Sequence, residues 1–237
     1  MNILFDLDGT LTDPYQGITR CISHALLTLD RPTPPQMNLK WCIGPPLKNS
    51  FAKLLASEDD KLVEEALSIY RERFGTVGLF ENELYEGIPD ALRILQEEGH
   101  ILYVATSKPT IYAKQIIEHF GLQQYFRTIY GSELDGTRSD KKDLISHILL
   151  SEGITSSETH MVGDRKYDMI GAKANGVYGV GVLWGYGTCD ELEASGANVF
   201  IRHPRELTIL FSELSNKYLN RIPESPVRKS NSSTGAG

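Results

Sequence analysis

Short apolar runs alternate with amphipathic stretches along most of the chain. Residues 3–5, 101–105, 128–130, 161–162, 178–183 and 199–201 read as strands bounded by polar or turn-forming positions. Between them, apolar residues recur three or four apart. Ile88, Leu92 and Leu95 mark one helix, opened by Pro89 and closed near Gly99. Ile116 with Phe120, and Leu144 with Ile148, mark two more. Strands that alternate with single helices require right-handed crossovers. The pattern therefore predicts an α/β fold, a doubly wound and mostly parallel sheet covered on both faces.

One region breaks the alternation. From about residue 15 to residue 75 there is no strand pattern, only helical spacing at Ile18-Ile22-Leu26-Leu29, Leu47-Phe51-Leu54 and Val63-Leu67-Tyr70-Phe74. Pro32-Thr33-Pro34-Pro35 separates the first two. This predicts an all-helical domain inserted after the first strand, placed as a cap over the strand ends. The boundaries are a core of residues 1–14 and 82–215, a cap of residues 15–81, and a tail of residues 216–237. The tail is expected to be disordered, since its last fifteen residues are rich in Ser, Gly, Pro and Asn.

Composition narrows the class. A hydrophobic content of 41% and a charged content of 23% are ordinary for a soluble globular protein. No run approaches the roughly 20 apolar residues that span a bilayer, and the N-terminus has no signal-peptide pattern. Cys21, Cys42 and Cys189 are scattered, with no CxxC pair, which suits a reducing cytoplasm and offers neither a disulfide framework nor a zinc site. The net charge of −7 argues against nucleic-acid binding. Monomer and homodimer both remain compatible with the sequence.

Four polar clusters follow predicted strands: Asp6-Leu7-Asp8-Gly9-Thr10, Thr106-Ser107-Lys108, Lys141-Lys142 after a longer loop, and Gly163-Asp164-Arg165-Lys166-Tyr167-Asp168. In an open parallel sheet, ligands bind in the crevice beyond the carboxyl ends of the strands, where these clusters would converge. Asp6 and Asp8 share a face of an extended segment. Asp164 and Asp168 share a face where a helix starts. Four carboxylates in one crevice call for a hard cation such as Mg²⁺, and a carboxylate freed to attack phosphorus is an established nucleophile. The bland readings are weaker. A calcium loop counted from Asp6 needs an acidic twelfth position, which here is Gly17. Asp164 and Asp168 read alone would be helix N-terminal acids, and Thr106 alone a helix cap.

Together the four motifs resemble those of the haloacid dehalogenase superfamily over about residues 1–212, and within it the phosphoglycolate-phosphatase-like branch, whose helical cap follows the first strand. The resemblance implies a Rossmann-like core and a Mg²⁺-dependent phosphatase. It makes Asp6 the nucleophile, and Asp8 the general acid for the leaving group and then the base for water. Thr106 would hydrogen-bond the transferring phosphoryl group, and Lys141 would neutralise it and orient Asp6. Mg²⁺ would be held by Asp6, the backbone carbonyl of Asp8 and Asp164, with Asp168 near or acting through water. Ser107 joins the substrate-binding candidates. So does Gly44, from the cap segment Trp41-Cys42-Ile43-Gly44-Pro45-Pro46, although a connection that simply packs explains that segment equally well. The third motif departs from the Lys-Pro of many relatives. Its Arg138-Ser139-Asp140-Lys141-Lys142-Asp143 resembles a 5′-nucleotidase-like subgroup, and Lys141 is favoured over Lys142 as the site lysine.

The implied activity is hydrolysis of a small phosphate monoester, of the phosphoglycolate or nucleoside 5′-monophosphate type. Two alternatives are a phosphosugar mutase and a non-catalytic module switched by phosphorylation of Asp6. Trp184-Gly185-Tyr186-Gly187 follows the fifth strand and reads either as a crevice loop or, more often for such a segment, as a turn with aromatic packing; it receives no role.

Overall fold

The computed structural model describes residues 1–219. Its strands, in chain order, are β1 (Asn2–Phe5), β2 (Thr12–Asp13), β3 (Glu83–Leu84), β4 (Ile101–Pro109), β5 (Phe126–Ser132), β6 (Thr159–Gly163), β7 (Tyr178–Val182) and β8 (Val199–Ile201). Six of them form one parallel sheet in the order β5-β4-β1-β6-β7-β8. The expected doubly wound sheet is present, and all six predicted strands belong to it. Several run longer than their apolar cores. β4 continues to Pro109 rather than stopping at Ala105, because a register shift lets Pro109 pair with Ser132 of β5.

β1 is the centre of this arrangement, and its side chains alternate as a sheet residue's must. Ile3 and Phe5 enter one buried apolar cluster, while Leu4 enters another on the opposite face with Tyr103, Leu144, Ile148 and Met161. Burying each such side chain contributes roughly 1.5–3 kcal/mol, which explains why a four-residue strand can hold the middle of the sheet. Successive connections leave β1 in opposite directions, through β4 on one side and β6 on the other. The crevice beyond β1, β4 and β6 is thus the topological switch point, where open α/β sheets bind ligands.

The helices are α1 (Tyr15–Thr28), α2 (Leu47–Leu54), α3 (Asp60–Arg73), α4 (Ile88–Glu97), α5 (Thr110–His119), α6 (Lys141–Glu152), α7 (Lys166–Ala174), α8 (Cys189–Ala194) and α9 (Glu206–Leu219). None is long and apolar enough to cross a membrane, among the described residues. α1 to α3, a 3₁₀ turn at Gln36–Cys42 and a π-helical turn at Phe74–Gly78 make up the segment inserted after β1. α1 and the π-helical turn meet backbone to backbone, since a side-chain carbon on Gly17 would overlap the carbonyl of Gly78. The cap's apolar face, including Ile22, Leu26, Phe51 and Tyr70, is continuous with the core cluster through Leu7, Leu11 and Ile18.

One element was not legible in the apolar pattern. β2 and β3 form a small antiparallel ribbon, pairing Thr12 with Leu84 and Asp13 with Glu83 where the chain leaves the core and returns. At the other end, α9 runs on to Leu219, past the boundary expected at residue 215. The remainder of the predicted disordered tail lies outside the described residues.

Candidate active site

Asp6 follows β1 directly, and its amide continues the ladder by donating to Val162 O at 2.9 Å. The chain then folds tightly, with the amides of Leu11 and Thr12 both donating to Leu7 O at 2.9 and 3.0 Å. Gly9 has φ +88°, and a side-chain carbon there would overlap the Asp164 carboxylate. Glycine is required twice over at this position, for the backbone angle and for the space.

α6 and α7 bring in the other charges. Asp140 caps α6 by accepting from the Lys142 amide at 2.7 Å. The cap fixes Lys141 as the first helical residue, pointing inward, while Lys142 stays exposed. Gly171 of α7 allows the close approach, since a side-chain carbon there would lie 2.8 Å from Lys141 Cβ. The Lys141 ammonium donates to Asp6 Oδ1 at 2.9 Å, to Ala105 O at 2.8 Å and to Asp168 Oδ1. All three of its protons are thereby used. Asp168 also closes the start of α7, its Oδ2 accepting from the Arg165 amide at 3.1 Å. Asp164 is fully buried, with Oδ2 accepting from the Tyr186 amide at 2.7 Å and Oδ1 from Thr10 Oγ1 at 3.4 Å.

Asp8 Oδ2 pairs with Lys108 Nζ at 2.8 Å. Asp8 Oδ1 is buried with no hydrogen-bond partner among the described residues. Thr106 is buried, its Oγ1 accepting from the Lys108 amide at 3.2 Å. Ser107 and Gly44 line a cavity of about 580 Å³ between core and cap, together with Asp6, Asp8, Thr106, Lys141 and Asp168. Gly44 has φ +102° and sits against Arg165, whose Cγ would lie 3.0 Å from a side-chain carbon at Gly44. Asp164 is not a lining residue; it lies behind the others, under the Trp184–Tyr186 turn.

Burial dominates the electrostatics. It pushes the Asp164 carboxyl well above the usual carboxylate range, with the Asp168 and Asp6 charges adding to the effect. It raises Asp168 to about 6, against the pull of Lys141. Burial raises Asp8 too, opposed by the Lys108 ammonium. For Lys141 burial acts downward, but the attraction of Asp168 and Asp6 outweighs it and holds the ammonium above its ordinary value. Oxygens of Asp6, Asp164 and Asp168 lie within 4.8 Å of one another. Three buried carboxylates facing one ammonium leave an excess of negative charge, and an all-oxygen donor set of this kind fits a hard divalent cation. The residues fit the metal.

Three participants were missed in the sequence. Lys108 stood in a polar cluster expected at the crevice but was given no role; it enters the site because β4 stays extended beyond Ala105. Arg165 donates from Nε to Glu191 Oε1 at 2.9 Å and from Nη1 to Ile43 O, bridging core and cap. The Trp184–Tyr186 turn covers Asp164, and Trp184 Nε1 donates to Thr10 O at 3.0 Å. Its two glycines were the available signal, because Gly185 and Gly187 both press against Asp164 with no room for a side chain.

The haloacid dehalogenase-like hydrolase family matches residues 3–182. The chain belongs to that family, and it is a phosphatase. It is 50% identical over 193 residues to a 5′-nucleotidase of Pseudomonas aeruginosa, covering 81% of this chain and 87% of that one. It is 37% identical over 197 residues to the tyrosine-protein kinase PtkA of Mycobacterium tuberculosis, covering 83% and 67%. Among solved structures, a predicted phosphatase from Clostridium acetobutylicum superposes with a TM-score of 0.85 at 42% identity, covering 90% and 98%.

Proposed function

We propose that the chain hydrolyses a nucleoside 5′-monophosphate or a similar small phosphate ester, with Mg²⁺ and through a phosphorylated Asp6. The observation that carries this reading is the buried set of Asp6, Lys141, Asp164 and Asp168 beside an Asp8 carboxyl with one free oxygen. Asp6 attacks phosphorus and the bond from phosphorus to the ester oxygen breaks. Asp8 gives its proton to that oxygen as the alcohol departs. A water molecule then attacks the phosphorylated Asp6, losing its proton to Asp8, and inorganic phosphate leaves with Asp6 restored. Lys141 holds Asp6 in place and offsets phosphoryl charge, and the Thr106 hydroxyl donates to a phosphoryl oxygen. Asp6, Asp164 and the Asp8 carbonyl would hold Mg²⁺, with Asp168 beside them; when bound, the ion supplies positive charge against the phosphoryl oxygens.

The cavity supports a substrate larger than phosphoglycolate. At about 580 Å³, with Tyr70, Phe74, Tyr112 and Tyr167 on its walls, it has room and apolar surface for a sugar and a base. The 50% identical relative named a 5′-nucleotidase points the same way. The scattered free thiols favour a cytoplasmic setting.

The test is phosphate release from nucleoside 5′-monophosphates and phosphoglycolate, with Mg²⁺ and with EDTA. The wild type is expected to need the metal and to prefer a nucleotide. Asp6→Asn is expected to be inactive yet folded. An Asp6→Asn protein with full activity would sink the mechanism, and product that remains an isomerised phosphate ester would make the chain a mutase.

A further inference from the structure

Lys108 occupies a position that hydrolysis as described above does not use. Its side chain is 6% exposed, and its ammonium sits between two groups. One is Asp8 Oδ2 at 2.8 Å, in the core. The other is the ring of Phe74, whose centroid lies 4.4 Å away. Phe74 belongs to the cap, at the start of the π-helical turn. It is fixed on both sides, stacked on Tyr70 with centroids 5.3 Å apart and edge-on to Tyr112 of α5 at 5.4 Å. A desolvated ammonium over an aromatic face is held by the ring quadrupole. The Lys108 site is therefore assembled from core and cap together.

The two oxygens of Asp8 differ accordingly. Oδ2 is pinned by Lys108, whereas Oδ1 is buried and unpartnered among the described residues. An acid that must deliver a proton needs one oxygen directed at the leaving group, and a second contact that stops the carboxyl from rotating away.

We propose that Lys108 is a positioning residue that holds Asp8 Oδ2 so that Oδ1 faces the ester oxygen, and that Phe74 completes the Lys108 site only when the cap is closed. Cap closure and presentation of the acid are then a single event. The inference rests on the reading of Asp8 as general acid. It assigns Lys108 no contact with the transferring phosphoryl group, and that distinguishes it from one more phosphate-binding cation.

The discriminating measurement is kcat/KM for two esters that differ in leaving group, because this constant covers the steps up to departure of the alcohol. p-Nitrophenyl phosphate releases a stable phenolate and needs little help from an acid, whereas a nucleoside 5′-monophosphate releases an alkoxide and needs a proton. Lys108→Met is expected to lose about 100-fold on the nucleotide, within the roughly 10²–10⁴-fold that a general acid supplies, and less than about fivefold on the aryl ester. Turnover of the aryl ester reports that the variant is folded. Phe74→Leu, which keeps the lysine but removes the ring face, is expected to show the same selectivity at about a tenth of the size in the single-turnover rate at saturating ester. Lost contact with the nucleotide's base would instead weaken binding and spare that rate. Equal losses on both esters, or no loss on either, would overturn the proposal. If Lys108→Met does not fold, Phe74→Leu decides on the same criterion. Failure of the underlying reading looks different: the wild type itself would lack metal-dependent turnover of both esters, or Asp6→Asn would retain it.

Discussion

Arg165, the residue after buried Asp164, donates a hydrogen bond across the cavity to the carbonyl oxygen of Ile43 in the cap. Arg71 of α3 reaches the other way, from cap to core, with Nη2 donating to Leu134 O at 3.1 Å. The two guanidinium groups clasp the cavity, one from the core and one from the cap. Hydrogen bonds of charged groups contribute about 1.5–3 kcal/mol when sheltered and less when exposed, as at Arg71. Arg71→Ala is expected to raise KM about threefold to tenfold with little change in kcat, since it loosens closure and touches none of the reacting groups. Steady-state kinetics on the preferred ester checks this. An unchanged KM would show that the clasp does not govern closure.

The two adjacent lysines should behave differently. Lys141→Met removes the ammonium from between Asp6 and Asp168, leaving buried carboxylates uncompensated. Its kcat is expected to fall by about 10³-fold, in line with the loss of a preorganised charge. Lys142→Met alters an exposed side chain and should change kcat by less than about twofold. Comparable losses in the two variants would contradict the assignment.

How far the site was legible depended on how local its geometry is. The pairs Asp6 with Asp8 and Asp164 with Asp168 could be read because spacing along one strand or one helical turn sets which side chains share a face. Lys141 came from the resemblance of the third motif alone, and the Asp140 cap that turns it inward is seen only in the structure. Lys108 could not be read in this way, because the extension of β4 to Pro109 depends on pairing with β5 across a register shift. Tyr186 was equally hidden, since only the folded sheet brings its amide to Asp164, 22 residues earlier in sequence. The six strands and the helical insertion were visible in periodicity alone. The β2–β3 ribbon, at two residues per strand, was too short to leave a pattern.

Gly185 is expected to tolerate no side chain. A methyl group there would overlap Gly9 O and the Asp164 side chain, neither of which can yield without shifting the metal-binding candidates. Gly185→Ala should cost about 1–3 kcal/mol of stability and most of the activity. Gly99→Ala provides the contrast. That position has φ +82° but nothing within 4 Å, so about 1 kcal/mol of backbone strain is expected and no loss of activity. Thermal midpoints and turnover of both variants check the difference.

Acid sensitivity should arise far from the site. His100 and His160 lie at the opposite end of the sheet, tilted against or edge-on to Phe211. Burial, helped by the N-terminal amine, lowers both rings to about 4. The folded rings are neutral at pH 6, while the unfolded chain binds protons near the ordinary value of about 6.5. Stability contributed by these rings is therefore present above 6.5, falls as pH drops, and levels off below about 4. The loss is about 2 kcal/mol per ring by pH 5. Urea unfolding at pH 7.5 and pH 5 measures it. His100→Asn should be less stable at pH 7.5 yet lose less on acidification, and parallel losses in wild type and variant would rule the histidines out.

The ribbon formed by β2 and β3 has a consequence for how such a protein can diverge. Thr12 and Leu84 face each other, so the chain leaves and re-enters the core at nearly one point. Loop closure costs little more as an insertion grows, because the penalty rises only with the logarithm of its length. Everything between these strands can be lengthened, shortened or exchanged while Asp6, Lys141, Asp164 and Asp168 stay where the sheet puts them. The ribbon acts as a socket. New specificity can be acquired by swapping what is plugged into it, provided the replacement still offers Lys108 a partner where Phe74 now stands.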